Sequence, residues 1–204
     1  MYKVIGHPGS RTIRVLWTLE ELGLDWELDP ALPGSPAAKA VNPSAKVPAL
    51  QIGDQIIRDS VAIVTHIADA NDGLTYPAGS VERALQDSFT QFACDEVDGP
   101  LWTAAKHRFA LPEEVRVPQI KDTAEFEWNR ACKVLEARMN GPFVMGQKMT
   151  IPDIILGHCA GWAKNAKFAW PGGTVGAYFE RMQGREALAR ARAKGQTVVD
   201  AASA

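Results

Sequence analysis

Asn42-Pro43-Ser44-Ala45-Lys46-Val47-Pro48-Ala49-Leu50 is the stretch that decides the fold. It reads as an exposed loop running into a strand. Two physical readings of Pro48 are open. In one it simply begins an edge strand, where its missing N–H does no harm. In the other a cis bond before it turns Val47 so that its N–H and C=O face outward beside a cleft, where they can pair with an extended peptide. Outward from there, residues 47–52 and 55–57 flank Gly53-Asp54, the composition of a hairpin turn. Arg58-Asp59-Ser60 then marks a strand-to-helix turn, and Ile63, Val64, Ile67 and Ala68 share one side of the helix over 60–70. Asp59 or Ser60 can cap that helix. The amides at its start also attract a carboxylate, and an acidic side chain beside them suits an ammonium group. Both ends of one amino acid could be held there.

Upstream, residues 2–5 are a short apolar strand and His7-Pro8-Gly9-Ser10 is turn chemistry. Val15, Leu16, Leu19 and Leu22 give residues 13–22 helical spacing, and Gly23 stands where a helix stops. A second strand is expected over 25–28, a loop over 30–36 and a short helix over 37–41. The order βαβ, α, ββα implies a small mixed sheet with helices packed on it. After Asn71-Asp72-Gly73 the pattern changes. Tyr76-Pro77-Ala78-Gly79 reads as a linker, and beyond it only helical periodicity is found. Helices are expected over about 81–107 and 117–139, and another from Thr150. Thr150 and Asp153 stand at capping-box spacing. Ile151, Ile154, Ile155, His158, Cys159 and Trp162 form the apolar stripe of that helix. His158 reads there as a core histidine. The expected division is an α/β domain over 1–75 and an all-α domain over 82–204.

Composition excludes several classes of function. The 204 residues are 46% hydrophobic and 23% charged, enough for a real core, and the net charge of -2 offers no basic face for nucleic acid. The first residues are too short an apolar run for a secretory leader, and no segment is long enough to span a bilayer. Three widely spaced cysteines argue against a disulfide framework and for a reducing compartment. The four histidines show no ligand spacing with cysteine or carboxylate, so no metal site is expected. No P-loop or dinucleotide fingerprint occurs.

Four stretches in register carry a family resemblance. Gly6-His7-Pro8-Gly9-Ser10, Arg14-Val15-Leu16-Trp17-Thr18-Leu19-Glu20-Glu21-Leu22-Gly23-Leu24, Asn42-Pro43…Lys46-Val47-Pro48-Ala49-Leu50 and Asp59-Ser60-Val61-Ala62-Ile63 resemble the N-terminal domain of a cytosolic glutathione transferase. Gly146-Gln147…Thr150-Ile151-Pro152-Asp153-Ile154 resembles the capping signature of that family's helical domain. The resemblance implies an α/β thioredoxin-like N-terminal domain followed by an all-α helical C-terminal domain, usually a homodimer. It implies glutathione as co-substrate and no metal. Val47, with Pro48 cis, would bind the cysteinyl backbone of glutathione. Asp59 and Ser60 would bind its γ-glutamyl end. Lys46 would lie near the glycyl carboxylate, with Lys39 a second candidate. Neither tyrosine nor cysteine stands in the loop after the first strand, which leaves a serine-type, bacterial-like site with Ser10 as thiol donor. Thr12 and Arg11 stay in contention.

The expected activity is conjugation of glutathione to an electrophilic apolar substrate in detoxification, or a related glutathione-dependent reduction, in the cytoplasm. The alternative is a non-catalytic binding or regulatory protein of the same fold. Leu101, Trp102, Ala105, Trp162, Phe168 and Trp170 are candidates to line the second-substrate pocket, each with core packing as the competing reading. In a homodimer, one of Asp95, Glu96 and Asp98 could approach the partner's γ-glutamyl ammonium.

Overall fold

The computed structural model describes residues 1–202. Contacts divide it into two compact units, Met1–Pro77 joined by the segment from Gly184 onward, and Ala78–Gln183.

The first unit is built on a four-stranded sheet of order β2-β1-β3-β4. Its strands are β1 (Tyr2–Gly6), β2 (Trp26–Pro30), β3 (Ala49–Ile52) and β4 (Gln55–Arg58). β1 and β2 are parallel and are joined through α1 (Thr12–Glu21), as a parallel pair requires. β3 runs antiparallel to both β1 and β4, and Gly53 supplies the positive φ of the hairpin turn. α2 (Pro36–Val41) precedes β3 and α3 (Ser60–Ala70) follows β4. Val4, Val15, Leu16, Leu19, Leu50, Ile63, Val64 and Ile67 are fully buried. Each such side chain contributes about 1.5–3 kcal/mol relative to exposure.

Register sets where the loops go. Ile5 pairs with Ala49, and Ala49 pairs with Arg58. The exit of β1, the entrance of β3 and the exit of β4 therefore lie at one end of three adjacent strands. Residues 7–10, 47–48 and 59–60 all leave the sheet there.

The last helix, α9 (Glu186–Ala202), was expected within a helical domain over 82–204. It packs instead on α1 and β2 of the first unit. Its buried residues are small apart from one leucine: Ala187, Leu188, Ala191 and Gly195.

The second unit is helical. The helix expected over 81–107 is present and continues to residue 110, with altered geometry. α4 (Val81–Phe92) passes into a π-helical segment, Ala93–Asp98, then α5 (Gly99–Ala105), then a second π-helical segment, Lys106–Ala110. The Gly99 N–H reaches back five residues to the Cys94 carbonyl. Pro100 next to it has no N–H for the usual ladder, and a wider turn absorbs that loss. α6 (Ile120–Arg138), α7 (Ile151–Asn165) and α8 (Gly173–Gln183) complete the unit. Trp128, fully buried, stacks on Phe179 at 5.7 Å and meets Phe168 edge-on at 6.4 Å.

α7 starts over a closed polar cluster. Asp153 is fully buried. Its Oδ2 accepts from the Thr150 N–H at 2.8 Å and the Thr150 hydroxyl at 3.2 Å. Its Oδ1 accepts from the Val144 N–H at 3.0 Å and the Tyr178 hydroxyl at 2.9 Å. The capping-box spacing read from the sequence is realised, with two further donors from outside the motif. Burial raises the Asp153 carboxyl above its ordinary range, and the four donors oppose that rise. Among the described residues, no helix is long and apolar enough to cross a membrane.

Candidate active site

The three loops at one end of the sheet, with the residues next to them, hold most of the candidates for glutathione binding and thiol activation. The 7–12 segment is organised by a ring of hydrogen bonds. The His7 N–H donates to Thr12 Oγ1 at 3.2 Å. Thr12 Oγ1 and Ser10 Oγ are 2.9 Å apart. The Ser10 hydroxyl lies 2.7 Å from the His7 carbonyl, which can only accept. Ser10 therefore donates to His7, and the Thr12 hydroxyl is left to donate to Ser10. The Thr12 N–H adds a second donor to Ser10 Oγ at 3.2 Å. A ring of this kind polarises each member.

Exposure separates the three thiol-donor candidates. Thr12 is 0% exposed. Ser10 and Arg11 are half-buried, so they have surface that a ligand can reach. Arg11 is the N-cap residue of α1 and its side chain makes no cap bond. Ser10 thus stands at the positive end of α1 with Thr12 behind it. Gly6 makes the arrangement possible, because a Cβ there would lie 2.2 Å from Thr12 Oγ1.

Val47-Pro48 is a cis peptide bond. Val47 precedes β3, so its amide and carbonyl lie outside the ladder. The loop before it is folded by Asn42. Asn42 Nδ2 donates to the Lys46 carbonyl at 2.9 Å, and Oδ1 accepts from the Ser44 N–H at 3.1 Å and its hydroxyl at 2.9 Å. Lys46 and Lys39 are both exposed, and Lys39 lies in the last turn of α2.

Asp59, not Ser60, caps α3. Its Oδ1 accepts from the Val61 N–H at 2.8 Å and the Ala62 N–H at 3.2 Å. Asp59 has φ 76°, uncommon for a residue with a Cβ. It remains exposed, so its carboxylate serves the helix and still faces solvent. Ser60 is 2% exposed and accepts from Arg14 Nη1 at 3.3 Å. Arg14 ties α1 to the start of α3 across 46 residues of sequence, and it is itself 2% exposed. No role was read for Arg14 or Asn42 from the sequence. The signal available for Arg14 was a charged residue among the apolar positions of α1.

The second-substrate candidates divide by burial. Leu101, Ala105 and Phe168 are buried in the helical unit. Trp102 and Trp162 are half-buried, with ring centroids 6.4 Å apart, and His158 lies 5.9 Å from Trp162. Trp170 packs edge-on against Phe179 at 5.8 Å. Of the acidic group, Asp98 is buried, Glu96 lies 3.7 Å from Arg130, and Asp95 is exposed. The fold also gathers Asp98, His158 and Cys159, with ligand-type atoms within 4.8 Å of one another, a grouping invisible to spacing rules. In that cluster the Cys159 thiol donates to Asp98 Oδ2 at 3.9 Å.

Residues 4–74 match the family described as "Glutathione S-transferase, N-terminal domain". The chain is 36% identical over 101 residues to glutathione S-transferase 1 of Triticum aestivum, and the match spans 44% of each protein. It is similar to the crystal structure of a glutathione transferase from Methylococcus capsulatus str. Bath, with 28% identity, a TM-score of 0.83, and 97% of this chain and 100% of that chain covered. It shares the fold of the glutathione transferase URE2P8 from Phanerochaete chrysosporium, solved with oxidized glutathione, at 23% identity and a TM-score of 0.80, with 98% of this chain and 96% of that chain covered. These findings support the glutathione transferase family, and the fold is that of a glutathione transferase.

Proposed function

We propose that this chain is a catalytic glutathione transferase of serine type, which joins the thiol of glutathione to an electrophilic, apolar substrate. One observation carries the reading: three loops with complementary chemistry leave one end of the sheet together. The 47–48 loop offers an extended peptide a free edge. The α3 start offers a carboxylate and a helix N-terminus to an amino acid head group. The 7–12 loop offers a hydroxyl at the positive end of α1. In the proposed reaction the thiol loses its proton to solvent. Its sulfur then attacks an electrophilic carbon, and the thioether forms as the leaving group departs.

Ser10 stabilises the thiolate in this reading. The ordinary thiol pKa is about 8.5, so only a few per cent is ionised at pH 7. Lowering it by about two units takes roughly 2.7 kcal/mol of preferential stabilisation of the anion. When sulfur arrives, the Ser10 hydroxyl turns from the His7 carbonyl to the sulfur, and Thr12 continues to donate to Ser10 Oγ. The α1 N-terminus adds to the same effect. Val47, Pro48, Asp59 and Ser60 hold the peptide. Lys46 meets the glycyl carboxylate, with Lys39 in reserve. Trp102, Trp162 and Trp170 are the pocket candidates with surface to offer the second substrate. A cytoplasmic homodimer, with the exposed Asp95 turned to the partner's site, and a part in detoxification complete the proposal.

A thermal-shift titration with glutathione, followed by turnover of an activated aryl halide, tests it. Ligand at about 100 times its Kd adds roughly 2.7 kcal/mol to a native state that alone binds it. Stabilisation with turnover is expected. Stabilisation without turnover would favour a binding protein, and neither would remove the reading.

A further inference from the structure

Gly195 stands inside α9 and is buried. A glycine within a helix is less favourable than alanine, so helix propensity gives no reason for it. Close approach does. A Cβ at 195 would meet Pro8 Cβ at 3.2 Å, Pro8 Cγ at 3.5 Å and Leu16 Cδ1 at 3.3 Å. Pro8 is a closed ring, and Leu16 is fully buried, so neither yields as the end of a flexible side chain would. The backbone of α9 lies against the residue that follows His7, whose carbonyl receives both the Ser10 amide at 2.9 Å and the Ser10 hydroxyl at 2.7 Å.

The same helix, with Arg185 immediately before it, is fastened at the far end of α1. Arg185 Nη2 pairs with Glu21 Oε2 at 2.7 Å, and its Nε also donates to Glu21. Arg190 Nε donates to Glu20 Oε2 at 2.9 Å. Lys194 Nζ donates to the Trp26 carbonyl at 3.2 Å and lies 3.8 Å from the Trp26 ring centroid. Both carboxylates are pinned in turn, Glu21 by the Trp17 indole N–H at 2.7 Å and Glu20 by that of Trp26 at 2.9 Å. α9 thus runs the length of α1, anchored by ion pairs at one end and abutting the Ser10 loop at the other.

We propose that α9 is a strut for the thiol-activating loop, with Gly195 a positioning residue that acts on Ser10 through Pro8. The inference rests on Ser10 as the thiol donor. A side chain at 195 displaces Pro8, moves the His7 carbonyl and opens the hydrogen-bond ring that aims Ser10. The peptide-holding residues at 46–48 and 59–60 are not in this contact, so the defect should fall on the thiol and not on docking.

Two measurements on Gly195→Ala and Gly195→Val test the strut. The first is amide hydrogen exchange over residues 7–14 without ligand. Faster exchange at the Ser10 and Ile13 amides than in wild type is expected, more so for valine. The second is the pKa of the bound glutathione thiol, which should rise by about one unit in Gly195→Val, a tenfold fall in the ionisation constant. Affinity for S-methylglutathione, which has no thiol to activate, should stay near wild type. Should Gly195→Val fail to fold, Arg185→Gln, which loosens the anchored end without touching Pro8, carries the same test with smaller shifts in the same directions. A folded Gly195→Val with wild-type exchange over 7–14 overturns the inference. Faster exchange together with a wild-type enzyme that does not lower the thiol pKa supports the strut and refutes Ser10 as donor.

Discussion

Two helices of this molecule, α7 and α1, begin beneath a cluster of polar side chains. At α7, Thr150 and Asp153 are both fully buried, and four donors converge on one carboxylate. At α1, Ser10 is half-buried, and its hydroxyl proton rests on a carbonyl of its own loop. The first cluster has no face left for a ligand, and its chemistry is spent on holding two segments and a helix start together. The second keeps one member at the surface and one, Thr12, sealed behind it. A polar cluster at a helix start is thus structural or functional according to whether its last member can turn outward.

The closed cluster should break hardest. Asp153→Ala leaves four donors without their acceptor. Each unsatisfied buried donor costs about 1–3 kcal/mol, and local relaxation recovers part of the sum, so a loss of about 3–5 kcal/mol is expected. That exceeds the about 0.5–2 kcal/mol of a simple N-cap. In thermal denaturation Tm should fall by roughly 10 °C. A drop within the simple-cap range would show that the Val144 and Tyr178 bonds contribute nothing. Gly6→Ala attacks the open cluster from behind. Its Cβ overlaps Thr12 Oγ1, and φ at Gly6 is 155°. A cost of about 1–3 kcal/mol is expected, with a raised pKa for the bound thiol. Wild-type thiol ionisation in this variant would mean that the Thr12–Ser10 contact plays no part.

The legible parts of both clusters were the local ones. Thr150 and Asp153 are three residues apart, and their spacing alone predicts a capping box. The loop from Asn42 to Pro48 and the turn at Asp59-Ser60 were likewise readable as short stretches, and a small mixed sheet with helices packed on it followed from the sequence of element types, although the order of its strands did not. Partners distant in the chain were not readable. Tyr178 reaches Asp153 over 25 residues, and Arg14 reaches Ser60 over 46. Periodicity shows that α9 has an apolar face but does not say which surface it covers, so its placement on α1 could not be read. The π-helical segments around Pro100 escaped for a related reason, since a proline signals a lost hydrogen bond without saying whether the helix kinks or widens.

Smaller effects sharpen the contrast. Asn42→Ala removes bonds that lie largely at the surface, so stability should fall by only about 1 kcal/mol. The glutathione KM should rise several-fold with kcat little changed, because the loop carrying Lys46 and Val47 loses its shape. An equal fall in kcat would tie that loop to thiol activation. The cysteines give the smallest signal. Burial and the Glu136 charge push the Cys132 thiol up to about 12, and Cys159 is fully buried. In the native protein an aromatic disulfide reagent at neutral pH should modify Cys94 alone, and all three thiols only after unfolding. Rapid native reaction at Cys159 would show that α7 is less closed than its capped start implies.

The central claim is that the open cluster activates a thiol through Ser10, with Thr12 as its support. The direct measurement is the ultraviolet thiolate absorbance of bound glutathione, titrated with pH in wild type, Ser10→Ala, Thr12→Ala and Arg11→Ala. Wild type should ionise well below the ordinary value of about 8.5. Ser10→Ala should return the thiol most of the way to that value and slow conjugation in step. Thr12→Ala should give a smaller shift in the same direction, and Arg11→Ala the least. If Ser10→Ala leaves the bound-thiol pKa and the conjugation rate unchanged while Thr12→Ala raises the pKa, the account is contradicted and the donor is Thr12.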